Sequence, residues 1–446
     1  MKYDIREFLK YVSFSILGML GLSFYILIDT YFVANRLGTE GIAALNLALP
    51  VYNLLHGCGL MTGIGGAAKY SIYKGQKNEN AKITFTNSVY FALILAIIFV
   101  LTGVFFSEKI SVLLGADKVL FPMTNIYMKV ILIFSPAFLF NNVLINYVRN
   151  DGSPKLCTVA MISGSLMNVL LDYVFMYPMK LGMFGAVLAT GFSPLTSISI
   201  LSLHFIKKKN NFVFVKTKPQ IKLMLSQASL GLSSLVSEVS SGVAIIVFNF
   251  IFLKFLGNTG VAAYAIVANW ALVLVAMCNG LAQGAQPLFS KTYGSGDMHK
   301  LKKYLKYAFI FLAAMFVVIY LGVLFATTPL TAIFNAENDA KLQKIGELGM
   351  RLYFAAAPFI GGNILFSIYF ASTDKAFPSH IIALLRGIVI IIPVAFMMAA
   401  FGGITGVWLT FLITESIVFV IAVIFYRYYN KKTGKESRAL SMQRNK

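Results

Sequence analysis

The run from Cys157 to Pro178 reads CTVAMISGSLMNVLLDYVFMYP, and Asp172 is its single charged residue. A stretch of this length and apolarity is long enough to cross a bilayer as a helix. Asn168 stands one helical turn before Asp172, so both side chains share a face. A carboxylate beside an amide carbonyl is a pair of hard oxygen donors, suited to a small cation or a proton relay. A carboxylate inside a span is expensive and by default marks a functional site. The plainer alternative is an Asp hydrogen-bonded to a neighbouring helix for packing alone.

Outward from this run the whole chain has the same character. Of its 446 residues, 58% are hydrophobic and 12% charged, and the mean hydropathy is +0.77. A soluble domain carries roughly 25% charged residues, so an all-α integral membrane protein is expected. Apolar runs fall at about 11–34, 43–66, 87–106, 121–146, 157–178, 182–205, 226–253, 259–284, 305–327, 347–371, 378–400 and 402–427. That is twelve transmembrane helices, with no polar stretch long enough for a separate soluble domain. The segment Met1–Glu7 lacks a signal-peptide cleavage pattern, so Tyr11–Val33 is expected as a retained first span. Cys58, Cys157 and Cys278 fall in or beside spans and suggest neither a disulfide nor a metal framework.

A net charge of +21 would suit a nucleic-acid binder, but its placement is topological. Alternate connections, from the Lys2–Lys10 terminus through the Lys207–Lys222 linker to the tail beyond Arg427, hold 28 of the 38 Lys and Arg. The opposite set holds 7: Arg36, Lys109, Lys118, Lys180, Lys254, Lys341 and Lys344. Lys129, Arg351 and Arg386 remain within spans. The asymmetry places both termini in the cytoplasm.

The chain also repeats itself. Gly38-Thr-Glu-Gly41-Ile-Ala43-Ala44 reappears as Gly257-Asn-Thr-Gly260-Val-Ala262-Ala263. Gly65, Ser71 and Gly75 then align with Gly284, Ser290 and Gly294, and Pro136, Asn141 and Tyr147 with Pro358, Asn363 and Tyr369. Six spans per half is an even number, so the halves are parallel repeats about an axis along the membrane normal, and such halves commonly rock around a central site. The expected units are a six-helix lobe over 1–206, a basic linker over 207–225, and a second six-helix lobe with its tail over 226–446.

Helical rise sets the depth of the in-span acids. Asp29 lies about 10 Å, Asp172 about 12 Å and Thr190 about 15 Å below the surface marked by Arg36 and Lys180. Asp29, Asn168, Asp172 and Thr190 therefore converge in depth as a candidate cation or proton site. Two carboxylates in low dielectric must share a proton or bind a cation. An interhelical network without transport is the alternative. In the second half, the repeat puts Phe248 opposite Asp29, while Glu238 sits near the midplane as a cation-binding or drug-facing acid. Arg386 and Glu415 are placed to neutralise each other, and His56 to make a helix contact. Phe, Tyr and Met are plentiful enough to line a plastic cavity for flat cations, and Pro50, Pro136, Pro358 and Pro393 are positioned to bend spans. No P-loop, HExxH or nucleophile–base arrangement is present, which leaves an enzymatic or ATP-driven reading unsupported.

The segments Asp29-Thr-Tyr-Phe-Val, Gly38-xx-Gly41-xx-Ala44, Leu49-Pro50, Asn168-xxx-Asp172, Gly284-Ala-Gln286-Pro287, Tyr293-Gly294-Ser-Gly296 and Gly406-Val-Trp408 with Glu415 span nearly the whole chain. In that order they resemble the multidrug and toxic compound extrusion (MATE) family, in its bacterial DinF-like and MepA-like branch. The resemblance implies two V-shaped six-helix lobes and ion-coupled efflux of amphipathic, often cationic, compounds. It implies a first-lobe cation site on Asp29, Asn168, Asp172 and Thr190, which would hold Na⁺ in a sodium-coupled member. It also implies a cavity position at Tyr25, and it likens Glu238 to the helix-seven acid of NorM-like members. The second acid that accompanies it there is missing from span ten, and span one lacks the proline of some DinF-like members, with Gly18 and Gly21 in its vicinity.

The expectation is therefore a monomeric plasma-membrane antiporter that exports drug-like organic cations against Na⁺ or H⁺, with no other cofactor and no nucleic-acid partner. A flippase of lipid-linked saccharide shares the architecture but calls for a more basic cavity. A membrane-embedded lipid transferase calls for a polar catalytic cluster, and a scaffold leaves the buried acids without a purpose.

Overall fold

The computed structural model describes residues 2–335 and 339–444, and the side-chain surroundings of residues 3–335 and 339–431. The basic residues Lys432, Lys435, Arg438, Arg444 and Lys446 of the tail lie outside the described side chains. The elements are α1 (Lys2–Gly75), α2 (Ala81–Leu113), α3 (Phe121–Ile133), α4 (Ser135–Asn150), α5 (Pro154–Met176), α6 (Gly182–Leu201), α7 (Leu203–Ile206) and α8 (Ile221–Gly294). They continue as α9 (Met298–Ala332), α10 (Ala340–Ala355), α11 (Ala357–Ser372), α12 (Ala376–Leu384), a π-helical turn over Leu385–Val389, and α13 (Ile391–Arg444).

Seven helices are long and apolar enough to cross a membrane, and α3–α4 and α10–α11 add two bent spans. Three of the long helices are hairpins. The 74 residues of α1 would reach about 110 Å if straight, against a hydrocarbon core of about 30 Å. Gly38 instead takes φ 65°, ψ −155°, a conformation open to glycine because it has no Cβ. Both ends of α1 then meet at one face, where Asp4 pairs with Lys303 and Gly75 packs on Gly294. Gly257 (φ 61°, ψ −149°) folds α8 in the same way. Gly403 folds α13, which brings the Tyr429 ring under the Lys375 ammonium at 5.1 Å. The result is twelve transmembrane helices in two lobes.

The internal repeat is visible in the backbone. Four left-handed positions pair between halves: Gly38 with Gly257, Lys77 with Gly296, Gly152 with Asp374, and Gly182 with Gly403. The bends pair as well, 49° between α3 and α4 and 43° between α10 and α11, each with a proline (Pro136, Pro358) in the first turn beyond the break. Two hydrophobic clusters fill the lobes. One gathers Val33, Phe85, Tyr127, Leu139 and Val187, the other Phe248, Tyr264, Phe354, Trp408 and Val418. The second also takes in Phe8, Val12, Ile16, Leu60 and Ile64 of α1 across the seam.

The lobes meet through α1 and α8 with matching geometry. Gly65 presses on the Gln227 carbonyl and Gly231 on the Met61 carbonyl, while a Cβ on Gly284 would stand 2.8 Å from Val12 Cα. Gly75 and Gly294 pack on each other beside the axis. Interlobe polar contacts gather at the same, basic face. Lys69 holds Asp374 at 2.9 Å, Asp4 holds Lys303 at 2.6 Å, the Tyr304 hydroxyl donates to Glu7, and Asn150 donates to Gln286.

Two local expectations change, at Pro50 and Lys69. Pro50 lies inside α1 without a break in helical dihedrals. Gly18 and Gly21 let the first span close on Met161 and Ile162 of α5. Lys69, read as a loop charge, is inside α1 and only 7% exposed, because α1 runs on to Gly75. The connection after α7 is also more than a tether. Phe212 is 2% exposed among Phe85, Tyr147 and Phe205. The backbone N–H groups of Val215 and Gln220 donate to Thr86 and Asn87.

Asp151 anchors this segment. Its side chain is fully buried and accepts from the Asn211 N–H at 2.7 Å, contacts His204 Nε2 at 3.0 Å and accepts from Lys74 at 3.0 Å. Burial would raise its pKa, but the bonds from His204, Asn211 and Lys74 outweigh it and hold the carboxyl below its ordinary 3.8. A depressed pKa gives stability that is present above the unfolded value and lost as pH falls through the folded one. Docking of 211–220 is therefore complete at neutral pH and weakens below the ordinary carboxylate range. Limited trypsinolysis at neutral pH should cut Asp151→Asn after Lys207, Lys208 and Lys209 well before wild type; equal cutting rates would contradict this anchor.

Candidate functional site

The four polar residues that converge in depth also meet in space. Asp172 and Asn168 are fully buried on one face of α5, Thr190 is 5% exposed on α6, and Asp29 is 8% exposed on the first limb of α1. With its amide oriented to satisfy both ends, Asn168 donates to Asp172 Oδ2 at 3.1 Å and accepts from the Thr190 N–H at 3.2 Å. The Asp29 and Asp172 carboxyls face each other closely enough for one proton to bridge them. Neither has a basic neighbour at ion-pair distance among the described residues. One oxygen of each, Oδ1, has no hydrogen-bond partner.

The α6 helix leaves further oxygens free at Thr190. Pro194 sits in α6 four residues after Thr190, so it withholds the N–H that the Thr190 carbonyl would otherwise accept. The Thr190 hydroxyl donates to the Ala186 carbonyl at 3.0 Å, which leaves its lone pairs facing outward from that bond. Two carboxylates, an amide oxygen and a threonine oxygen make a hard donor set of the kind that takes a small cation. Without a cation, like charges this close cannot both ionise, and a proton must be shared. No group of three or more His, Cys, Asp or Glu that could hold a metal ion is found among the described residues.

One member was missed. Tyr127 on α3 is 4% exposed and its hydroxyl approaches Thr190, near both carboxylates. A tyrosine within an apolar run carries no signal of its own in the sequence. Tyr25 lies beneath Asp29, faces Tyr52, and lines a narrow polar cavity with Tyr52, His56 and Asn141. His56 stacks on Tyr52, one turn earlier in α1, with centroids 5.9 Å apart.

Glu238 stands apart from the quartet. It packs across the seam, its Cβ 3.1 Å from where a Cβ on Gly57 would be, close to His56 and Tyr52. Among the described residues the second lobe has no matching acid site. Phe248, opposite Asp29 in the repeat, stacks on Phe411 at 4.4 Å and Tyr264 at 5.6 Å. Arg386 Nη2 bonds Glu415 Oε1 at 2.8 Å and Asn363 donates to Glu415 Oε2 at 2.6 Å, a closed network with no coordinating oxygen to spare on that carboxylate.

The MatE family model matches residues 15–174 and 234–397, one stretch in each lobe. The chain belongs to the MatE family, whose members are transporters and not enzymes. The multidrug export protein MepA of Staphylococcus saprophyticus is 27% identical over 411 residues, covering 92% of this chain and 90% of the relative. MepA of Staphylococcus aureus strain MRSA252 is 26% identical with the same coverage. Among solved structures, an outward-facing multidrug resistance MATE transporter of the MOP superfamily superposes with a TM-score of 0.91 at 21% identity, covering 97% of both chains. A MOP superfamily transporter from Pyrococcus furiosus, described as having a binding pocket of reverse polarity, superposes at 0.89 with 20% identity and 96% coverage of both.

The Arg386–Glu415 pair separates structural from functional acids. Arg386→Ala leaves a buried carboxylate unpaired and should cost about 3–5 kcal/mol of stability, whereas Arg386→Met with Glu415→Leu should be close to neutral. Thermal unfolding in detergent reads the difference, and a double variant as unstable as the single one would contradict it.

Proposed function

We propose that this protein is a secondary exporter of amphipathic, cationic organic molecules, driven by Na⁺ or H⁺ loaded at Asp29, Asn168, Asp172 and Thr190. The reading rests on one observation above others: two buried carboxyls side by side with no basic partner. A structural role would have paired them, as Arg386 pairs Glu415. An unpaired couple has a free energy that depends on its occupant, so loading an ion shifts the balance between helix arrangements. α1 carries Asp29 in one limb and forms the seam with both limbs, so occupancy at the site bears on the contact between lobes. Glu238, Tyr52 and Tyr25 supply an acidic and aromatic surface next to the seam, suited to a flat cation.

The export of drugs by the MepA relatives supports the substrate class. The excess of Lys and Arg on one face supports a cytoplasmic position for that face and for both termini in a bacterial plasma membrane. On that orientation the closed seam, with Lys69–Asp374 and Asp4–Lys303, is the cytoplasmic gate.

Ethidium movement in proteoliposomes under a Na⁺ gradient alone, and under a pH gradient alone, tests this. At least one gradient should drive transport in wild type, and neither should in Asp172→Asn protein that is folded and inserted. Undiminished transport by Asp172→Asn would remove the site from the mechanism.

A further inference from the structure

Arg149 occupies the last turn of α4 and is 1% exposed. Its Nη1 donates to Gln283 Oε1 at 3.0 Å and to Asn146 Oδ1 at 3.4 Å, and Nη2 lies 4.0 Å from Met161 Sδ. Nε has no partner. Among the described residues no carboxylate lies within ion-pair distance of this guanidinium; the acid two residues on, Asp151, is taken by Lys74, His204 and Asn211. Arginine stays protonated in proteins, and a buried ion without a counter-charge is costly. The charge therefore calls for a partner that the described side chains do not supply.

The surroundings are built to hold one. Arg149 lines the polar cavity that reaches up to Tyr25 between α1, α4, α5 and α6, and Gln283 of α8 closes it from the other lobe. Asn142, Asn146, Ser165 and Ser197 share the wall, no acid is among the lining residues, and Ser197 Oγ is unpartnered. The cavity holds about 70 Å³. That is room enough for one small ion with its hydration.

We propose that this cavity binds a small monovalent anion of chloride size, held by the Arg149 guanidinium and the hydroxyl and amide donors of its wall. The site is completed across the seam. Gln283 orients the guanidinium, and it leaves with its lobe when the basic face opens. Affinity for the anion is therefore higher with the seam closed, and by linkage the anion stabilises the closed seam. The cation site and the anion site then act on the same interface.

The test uses the full chain in nanodiscs, with chloride NMR linewidth as the readout in a gluconate background. Wild type should show saturable broadening that bromide displaces, and Asp172→Asn should keep it. Arg149→Met should lose it. Because that variant is at risk of misfolding, Gln283→Glu is the second arm: it puts a carboxylate where Oε1 already touches Nη1, supplies a built-in counter-ion, and should abolish the broadening in a folded protein. Absence of a saturable component in wild type, which would mean that water alone solvates the guanidinium, overturns the proposal. So does a component that survives Gln283→Glu.

Discussion

Two carboxyls that share a low-dielectric space without a counter-ion cannot be left to themselves. That constraint organises the first lobe. Asn168 and the Thr190 amide fix one side of Asp172, Pro194 frees a carbonyl, and Asp29 closes the group from a different helix. Each piece is ordinary in isolation. Together they make a site whose stability depends on what occupies it, and the helix that carries Asp29 is also the one that forms half of the interface between lobes.

The second lobe shows the contrast. It repeats the backbone of the first closely enough for four left-handed positions and both bends to pair. At the position of Asp29, however, it stacks Phe248 on Phe411 and Tyr264. Its buried acid, Glu415, is neutralised by Arg386. The two copies thus share a scaffold, and among the described residues only the first gathers unpaired carboxyls at this position.

Much of this was legible in the chain. Span count, repeat and candidate quartet follow from hydropathy, from glycines at fixed offsets and from helical rise. These are local or periodic signals, and the membrane sharpens them because it makes every in-span charge conspicuous. What was not legible depends on how far helices extend beyond the bilayer and on contacts between lobes. Lys69 and Arg149 read as loop charges because they fall at span ends, and packing decided that they were buried. Tyr127 had no pattern to betray it. Phe212, in a basic connection, gave no hint that the connection docks, since its partners Phe85, Tyr147 and Phe205 are scattered along the sequence.

Infrared difference spectroscopy of the carboxyl stretch, recorded on a Na⁺ jump and on a pH jump in reconstituted protein, looks directly at the shared proton. The account predicts a protonated-carboxyl band that disappears on at least one of these jumps and that is altered in both Asp29→Asn and Asp172→Asn. A spectrum in which neither jump changes a carboxyl band assignable to Asp29 or Asp172 would contradict it.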